Sequence, residues 1–377
     1  MNEPKLRFPE FKDIWNNHKI EDMFDRVGTP VDLDDTLTYR EIGIRSHGKG
    51  IFHKDETTAS EIGDKRIFWV EPDCFVVNIV FAWERAVAKT TEAENGMIAS
   101  HRFPMYKPKK DVVDLDYITE YFITKRGQNI LILASPGGAG RNKTLGQKEF
   151  AKSVVKLPSL PEQQKIAEFL STIDTVIEKQ KETVSAWEER KKGVMQKLFG
   201  QEVRFKADDG SDFPEWEEKK LGEILAVHHG KDYKNLKKGN VPVYGTGGII
   251  TYVEDFLCDW ACVCIGRKGT IDKPLYIDTP FWCVDTLFFT KAKDKHIPKF
   301  QFYLFQMIPW KKYNEASGVP SLNASTIQNI NVTIPCPEEQ QKIADCLSSL
   351  DDGIAKQKAT LAAWEELKKG LLQQMFV

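Results

Sequence analysis

The residues of this 377-residue chain best suited to chemistry are basic side chains gathered in glycine-containing stretches. In the C-terminal half, Arg267 and Lys268 stand between Gly266 and Gly269. Lys231, Lys234, Lys237 and Lys238 follow His228-His229-Gly230, and Tyr244 lies in the turn-like text of residues 242–248. In the N-terminal half, Arg40, Arg45, His47, Lys49 and Lys54 gather around the glycine-rich residues 42–50, and Arg141, Asn142 and Lys143 close the loop text of 135–143. Arginine and lysine reach phosphates or the guanine edge, and asparagine pairs with adenine, so these groups are candidate DNA contacts. The competing reading is charge that merely solvates loops and, for Tyr244, simple packing.

Other chemistries fit less well. Gly137 to Thr144 approaches the phosphate-cradling glycine-loop pattern, but Asn142 replaces the second glycine and no magnesium-binding strand follows. Cys258, Cys262, Cys264 and Cys283 lack zinc-site spacing, and Cys262 and Cys264 alternate with apolar residues as small hydrophobes do. No metal is expected. No Asp/Asn-Pro-Pro-aromatic segment, glycine-rich S-adenosylmethionine loop, helicase motif or nuclease motif is found, so no catalytic residue is assigned and no cofactor is expected in this chain.

Composition sets the frame. Hydrophobic residues make up 41% and charged residues 29%, ordinary for a chain with real cores. No apolar run is long enough to span a membrane, and the first residues lack a secretory leader. Seven scattered cysteines suit a reducing cytoplasm. A net charge of −2 means that DNA binding needs cations gathered locally or a field supplied partly by partners.

The basic stretches must be positioned by something, and the chain repeats one text. Residues 158–199 return 177 residues later as 335–376, without a gap and with more than half of the positions identical. Apolar residues recur at alternating steps of four and three. They run Ile166, Leu170, Ile173, Ile177, Val184, Trp187, Val194 and Leu198 in the first copy, and Ile343, Leu347, Leu350, Ile354, Leu361, Trp364, Leu371 and Met375 in the second. This is a heptad seam. Gln180 and Lys191 interrupt it, and Gln357 and Lys368 do so at the equivalent places. Each copy is expected as a helix of about 38 residues, on the order of 57 Å long. The two copies are expected to pair with each other, with Gln180 and Gln357 fixing register. Ser159 to Glu162 has capping-box spacing, and Pro337 suits a first turn.

Each copy closes a dissimilar body, and both bodies open on related text, Phe8-Pro9-Glu10-Phe11 and Phe213-Pro214-Glu215-Trp216. Strands are expected at 66–70, 74–81, 129–133, 261–265 and 281–289, and short helices at 114–125 and 299–310.

The whole chain resembles the specificity subunits of type I restriction–modification systems. The resemblance is carried by the two Pro-x-x-x-Glu-Gln-Gln-Lys-Ile-Ala helix openings at 158–167 and 335–344, the body openings, and Pro242-Val243-Tyr244-Gly245 followed by Gly266-Arg267-Lys268-Gly269. It implies an α+β protein of pseudo-twofold design, with two globular target recognition domains joined by two long helices in an antiparallel coiled coil. The expected boundaries are 1–156 and 201–333 for the recognition domains, and 157–200 and 334–377 for the spacer helices. The spacer positions Ile166, Leu170, Gln180, Trp187, Ile343, Leu347, Gln357 and Trp364 would pack the helices and dock partners. The implied partners are double-stranded DNA, two methyltransferase subunits and restriction subunits, with no membrane. S-adenosylmethionine, ATP and magnesium would be held by those subunits. The implied role is recognition of a bipartite DNA target, directing adenine methylation and cleavage. Half-sites read from one DNA face lie about 34–36 Å apart per helical turn, within reach of such a spacer. The rival readings are a coiled-coil scaffold that binds protein, and a self-sufficient enzyme.

Overall fold

The computed structural model describes residues 4–137 and 143–376. The chain divides into two compact units, Met1–Lys181 with Thr360–Val377, and Glu182–Ala359. Both long helices form, over Leu160–Phe199 and Pro337–Met375. Each unit takes the first part of one helix and the last part of the other.

The first unit begins with Asn16–Lys19 paired antiparallel to Val154–Leu157. A four-stranded sheet follows in the order Phe24–Val27, Met105–Pro108, Phe75–Val77, Val87–Lys89. A five-stranded sheet carries the long hairpin Thr38–Ile44/Ile51–Thr58 at its edge. Phe75, Phe122 and Phe150 are fully buried together with Ile166 and Leu170 of the first helix and Met375 and Phe376 at the end of the second.

The second unit repeats the strand pair and the four-stranded sheet, but its hairpin sheet has three strands in place of five. Glu217–Lys220 pairs with Asn331–Ile334, and a four-stranded sheet runs Leu225–His229, Leu287–Ala292, Cys262–Gly266, Leu275–Ile277. The hairpin Lys238–Gly245/Gly248–Val253 belongs to a third sheet with Trp282–Cys283. Even the entry bond recurs, since Ile20 N–H donates to Ser153 O as Leu221 N–H donates to Ile330 O. Val263, Ile265 and Phe300 share a core with Met195 and Leu198 of one helix and Ile343 and Leu347 of the other. Here the helical stretches run antiparallel, because Glu188 pairs with Lys358 and Lys191, further along, pairs with Asp351, further back.

The repeated helix opening has a structural use in each unit. Glu162 and Glu339 are fully buried, and each takes an arginine side-on. Arg7 Nε and Nη2 donate to Glu162 at 2.7 and 2.8 Å, and Arg204 Nε and Nη2 donate to Glu339 at 3.2 and 2.9 Å. The neighbouring Gln163 and Gln340 are buried too. Their amide nitrogens donate to Pro158 O and Pro335 O, and their amide oxygens accept from Asp114 N–H and Ile297 N–H, just before the helices Leu115–Ile123 and Pro298–Met307. The motif ties the helix start to the body.

Several local expectations are corrected. Residues 129–133, expected as a strand, belong to a helix, Lys125–Leu133, with Thr124 Oγ1 accepting from Gly127 N–H at its start. Residues 281–289 break into Trp282–Cys283 and Leu287–Ala292. The text of 74–81 is strand only over Phe75–Val77, then turns at Asn78. Part of 42–50 and most of 242–248 is hairpin strand, leaving only the tips as loop.

Candidate nucleic-acid interface

In the second unit the hairpin tip 245–248 lies against the Gly266–Gly269 turn, with Thr246 Oγ1 close to Gly269. Gly269 N–H donates to Pro320 O, Lys268 bridges Ser321, and Leu322 N–H donates to Arg267 O. Arg267 N–H donates to Thr286 O, and its guanidinium donates to Asp285 O at 3.2 Å. Four segments therefore meet at one end of the unit, with Arg267 and Lys268 exposed there. The turn requires both of its glycines. A Cβ on Gly266 would lie 2.0 Å from Thr270 O, and Gly269 has φ +95°.

Lys231 adjoins this end, since its N–H donates to Cys283 O, next to Val284, whose N–H donates to Tyr244 O. Lys237 and Lys238 do not. Glu254 N–H donates to Lys237 O, and Lys238 pairs with Val253, at the opposite end of the hairpin from Gly245 and Gly248. Lys234 lies 3.9 Å from Asp232 in the intervening loop. Tyr244 packs edge-on against Phe281, with burial as the main cause that raises its hydroxyl pKa. Cys258, Cys262, Cys264 and Cys283 share one buried cluster with Phe281 and Phe289. Burial pushes the Cys283 thiol up to about 12, so it stays protonated and packs as a small apolar group.

The first unit builds the equivalent end from different residues. The tip of its hairpin, 45–50, docks on the end of the short 3-10 helix Ala82–Glu84, with His47 N–H donating to Glu84 O at 2.7 Å and Gly48 N–H to Arg85 O at 2.9 Å. Arg45 donates to Ile51 O and lies 4.8 Å over the Phe52 ring. His47 and Lys49 are exposed beside it. Arg40 and Lys54 lie further along the strands, paired across the hairpin with Glu56 at 3.5 Å and Glu41 at 2.6 Å. Arg141 and Asn142 lie outside the described residues, and Lys143 is partly exposed.

Sequence reasoning missed Arg85, Lys125 and Arg126, which the fold brings to this end. They line a cleft of about 890 Å³ with Lys181 and Lys369, although Asp174 and Glu178 line it as well. Their signal was absent because no glycine run surrounds them. Of the spacer positions, Ile166, Leu170, Ile343 and Leu347 are buried in their own unit's core. They pack the helices and offer no surface to a partner. Trp187, Gln180, Gln357 and Trp364 are half-exposed.

The family model described as the type I restriction modification DNA specificity domain matches residues 75–185 and 214–363. Those regions cover more than half of the chain, and the chain belongs to that family. The type I restriction enzyme MjaVIII specificity subunit of Methanocaldococcus jannaschii is 27% identical over 263 residues, 60% of this chain and 62% of that subunit. The chain thus spans somewhat under two thirds of that relative's length. The S subunit of a type I restriction–modification system from M. genitalium matches over 100% of this chain and 99% of its own, at TM-score 0.63 and 18% identity. A chain from a structure concerned with complex assembly and conformational transition of the type I system matches over 98% and 99%, at TM-score 0.59 and 15% identity. These two share the fold. No described helix is long and apolar enough to cross a membrane.

Proposed function

We propose that this chain is the DNA-recognition subunit of a type I restriction–modification complex. It reads a bipartite target, one half-site with each unit. Bound methyltransferase subunits then methylate adenine, and bound restriction subunits cleave unmethylated DNA. The chain itself performs no chemistry in this reading. S-adenosylmethionine, ATP and magnesium belong to the partner subunits.

The observation that supports this most is the pairing of a shared framework with dissimilar tips. Each unit has the same terminal strand pair and the same order in its four-stranded sheet, and each gathers exposed cations where its hairpin tip meets a neighbouring turn. The tip residues differ, Arg-Ser-His-Gly-Lys-Gly at 45–50 against Gly-Thr-Gly-Gly at 245–248. Two readers on one plan suit a target with two unlike halves. The test is methylated-base sequencing of DNA exposed to the chain with its methyltransferase partner. A split, asymmetric methylated motif is expected, and absence of any such motif overturns the proposal.

A further inference from the structure

The hairpin tip of the first unit is held more firmly than an exposed turn requires. Arg45 N–H closes it on Gly50 O at 3.0 Å, and His47 N–H and Gly48 N–H fasten it to residues 84 and 85. Ser46 Oγ donates to Glu84 Oε2 at 2.8 Å. Gly48 leaves no room above Ile123, since a Cβ there would lie 2.7 Å from its Cγ1. Within this frame His47 holds φ +64°, in the left-handed region where a side chain carries a conformational cost. Glycine would remove that cost, yet the position carries an imidazole.

The other side chains of the tip are committed or purely cationic. Arg45 is spent on Ile51 O and the Phe52 ring, and Ser46 on Glu84. Gly48 and Gly50 offer none, and Lys49 is a donor only. His47 alone is exposed and able both to donate and to accept, and among the described residues its ring makes no hydrogen bond or ion pair. The tip thus combines a rigid mount, a left-handed backbone at His47 and one uncommitted donor–acceptor group two residues before a lysine.

We propose that His47 reads a base edge in the half-site bound by the first unit, while Lys49 contacts the adjoining phosphate. This rests on the DNA-recognition reading above. The base contact supplies discrimination and the phosphate contact supplies salt-dependent affinity.

The decisive variant is His47→Gly, which deletes the ring while suiting the backbone, assayed in the complete methyltransferase complex. Its melting temperature is expected to be no lower than that of the wild type. The methylated motif should keep both halves but lose discrimination at one or two base pairs of one half, on the order of ten- to hundred-fold. His47→Asn, which tolerates the same φ and keeps a donor and an acceptor, should recover part of that discrimination. Lys49→Ala should instead lower the salt slope of binding by roughly 0.9 without changing the motif. A His47→Gly motif identical to wild type overturns the proposal and leaves bipartite recognition standing. A wild-type complex with no bipartite motif overturns both.

Discussion

Lys191 Nζ lies 2.6 Å from Asp351 Oδ1, and the repeat-related Lys368 Nζ lies 2.7 Å from Asp174 Oδ1. Each helix supplies the lysine of one pair and the aspartate of the other, and each pair belongs to a different unit. The lysines that interrupt the heptad seam are therefore not defects in it. Asp351 also accepts from Tyr303 Oη at 2.7 Å, and Lys368 also meets Glu120 at 3.2 Å, so each pair fastens the helices to their globular body.

Removing one partner of such a pair leaves a half-buried charge alone. Asp351→Ala is expected to destabilise the second unit by about 1–3 kcal/mol, below the full cost of a deeply buried pair. Asp351→Asn, which can still accept from Tyr303, should cost less. A double-mutant cycle with Lys191→Met in denaturant unfolding measures the coupling.

The Glu120 carboxyl is raised above its ordinary 4.5, chiefly by burial, with Lys368 pulling the other way. A group raised in the folded state holds its proton more tightly there than in the unfolded chain. Its contribution is full below the unfolded value and is lost as pH rises through the folded one. The stability of wild type relative to Glu120→Gln should therefore fall as pH rises through and above the ordinary carboxylate range. Urea unfolding of both proteins across that range checks it, and a flat difference would contradict the burial argument.

Arg204 and the fully buried Glu339 form the clamp at the start of the second helix. Arg204→Met would leave that carboxylate with only Trp216 Nε1, at 3.2 Å, as a remaining side-chain donor among the described hydrogen bonds. The expected loss is about 3 kcal/mol, with Glu339→Gln milder. Arg7→Met should do the same to the first unit. Chemical denaturation followed by circular dichroism reads both.

Gly353 faces Trp187, and a Cβ there would lie 2.5 Å from the indole ring. Helix propensity alone would reward Gly353→Ala by about 1 kcal/mol. The opposite is expected, a lower melting temperature, because the ring must move. Trp187→Leu in the same background should recover part of the loss.

Lys268 stands at the end of the second unit where four segments meet, and Lys237 stands at the far end of the hairpin. Lys268→Ala should reduce the salt dependence of DNA binding by roughly one phosphate contact, a slope change of about 0.9. Lys237→Ala should leave it unchanged. Fluorescence anisotropy at several salt concentrations separates them, and equal effects would remove the distinction between the two ends.

The long helices were legible because the repeat exposes its own seam, down to the duplicated glutamines and lysines. The helix Lys125–Leu133 was not. Asn129 to Leu133 is a short apolar run of the kind a buried strand also shows. Only in the fold is Leu131 buried while Leu133 stays 81% exposed. The equivalence of Arg7 and Arg204 was hidden by an insertion. Phe8 and Pro9 follow Arg7 directly, whereas Phe213 and Pro214 follow Arg204 only after residues 205–212. Among the candidate contacts, the clusters were visible as charge, but their division into tip and strand positions depends on hairpin register. Arg40 and Lys54 differ from His47 and Lys49 only by where the strands end.

The two units differ in how their chain segments are gathered. Glu182–Ala359 is continuous, whereas the other unit joins Met1–Lys181 to Thr360–Val377. Synthesis proceeds from the N-terminus, and domains fold as units while it proceeds. The second unit has all its segments once Ala359 has emerged. The first must hold Tyr117 and Tyr121 without their partner until Phe376, which packs against both rings, leaves the ribosome. In the order of birth, the half made first is completed last.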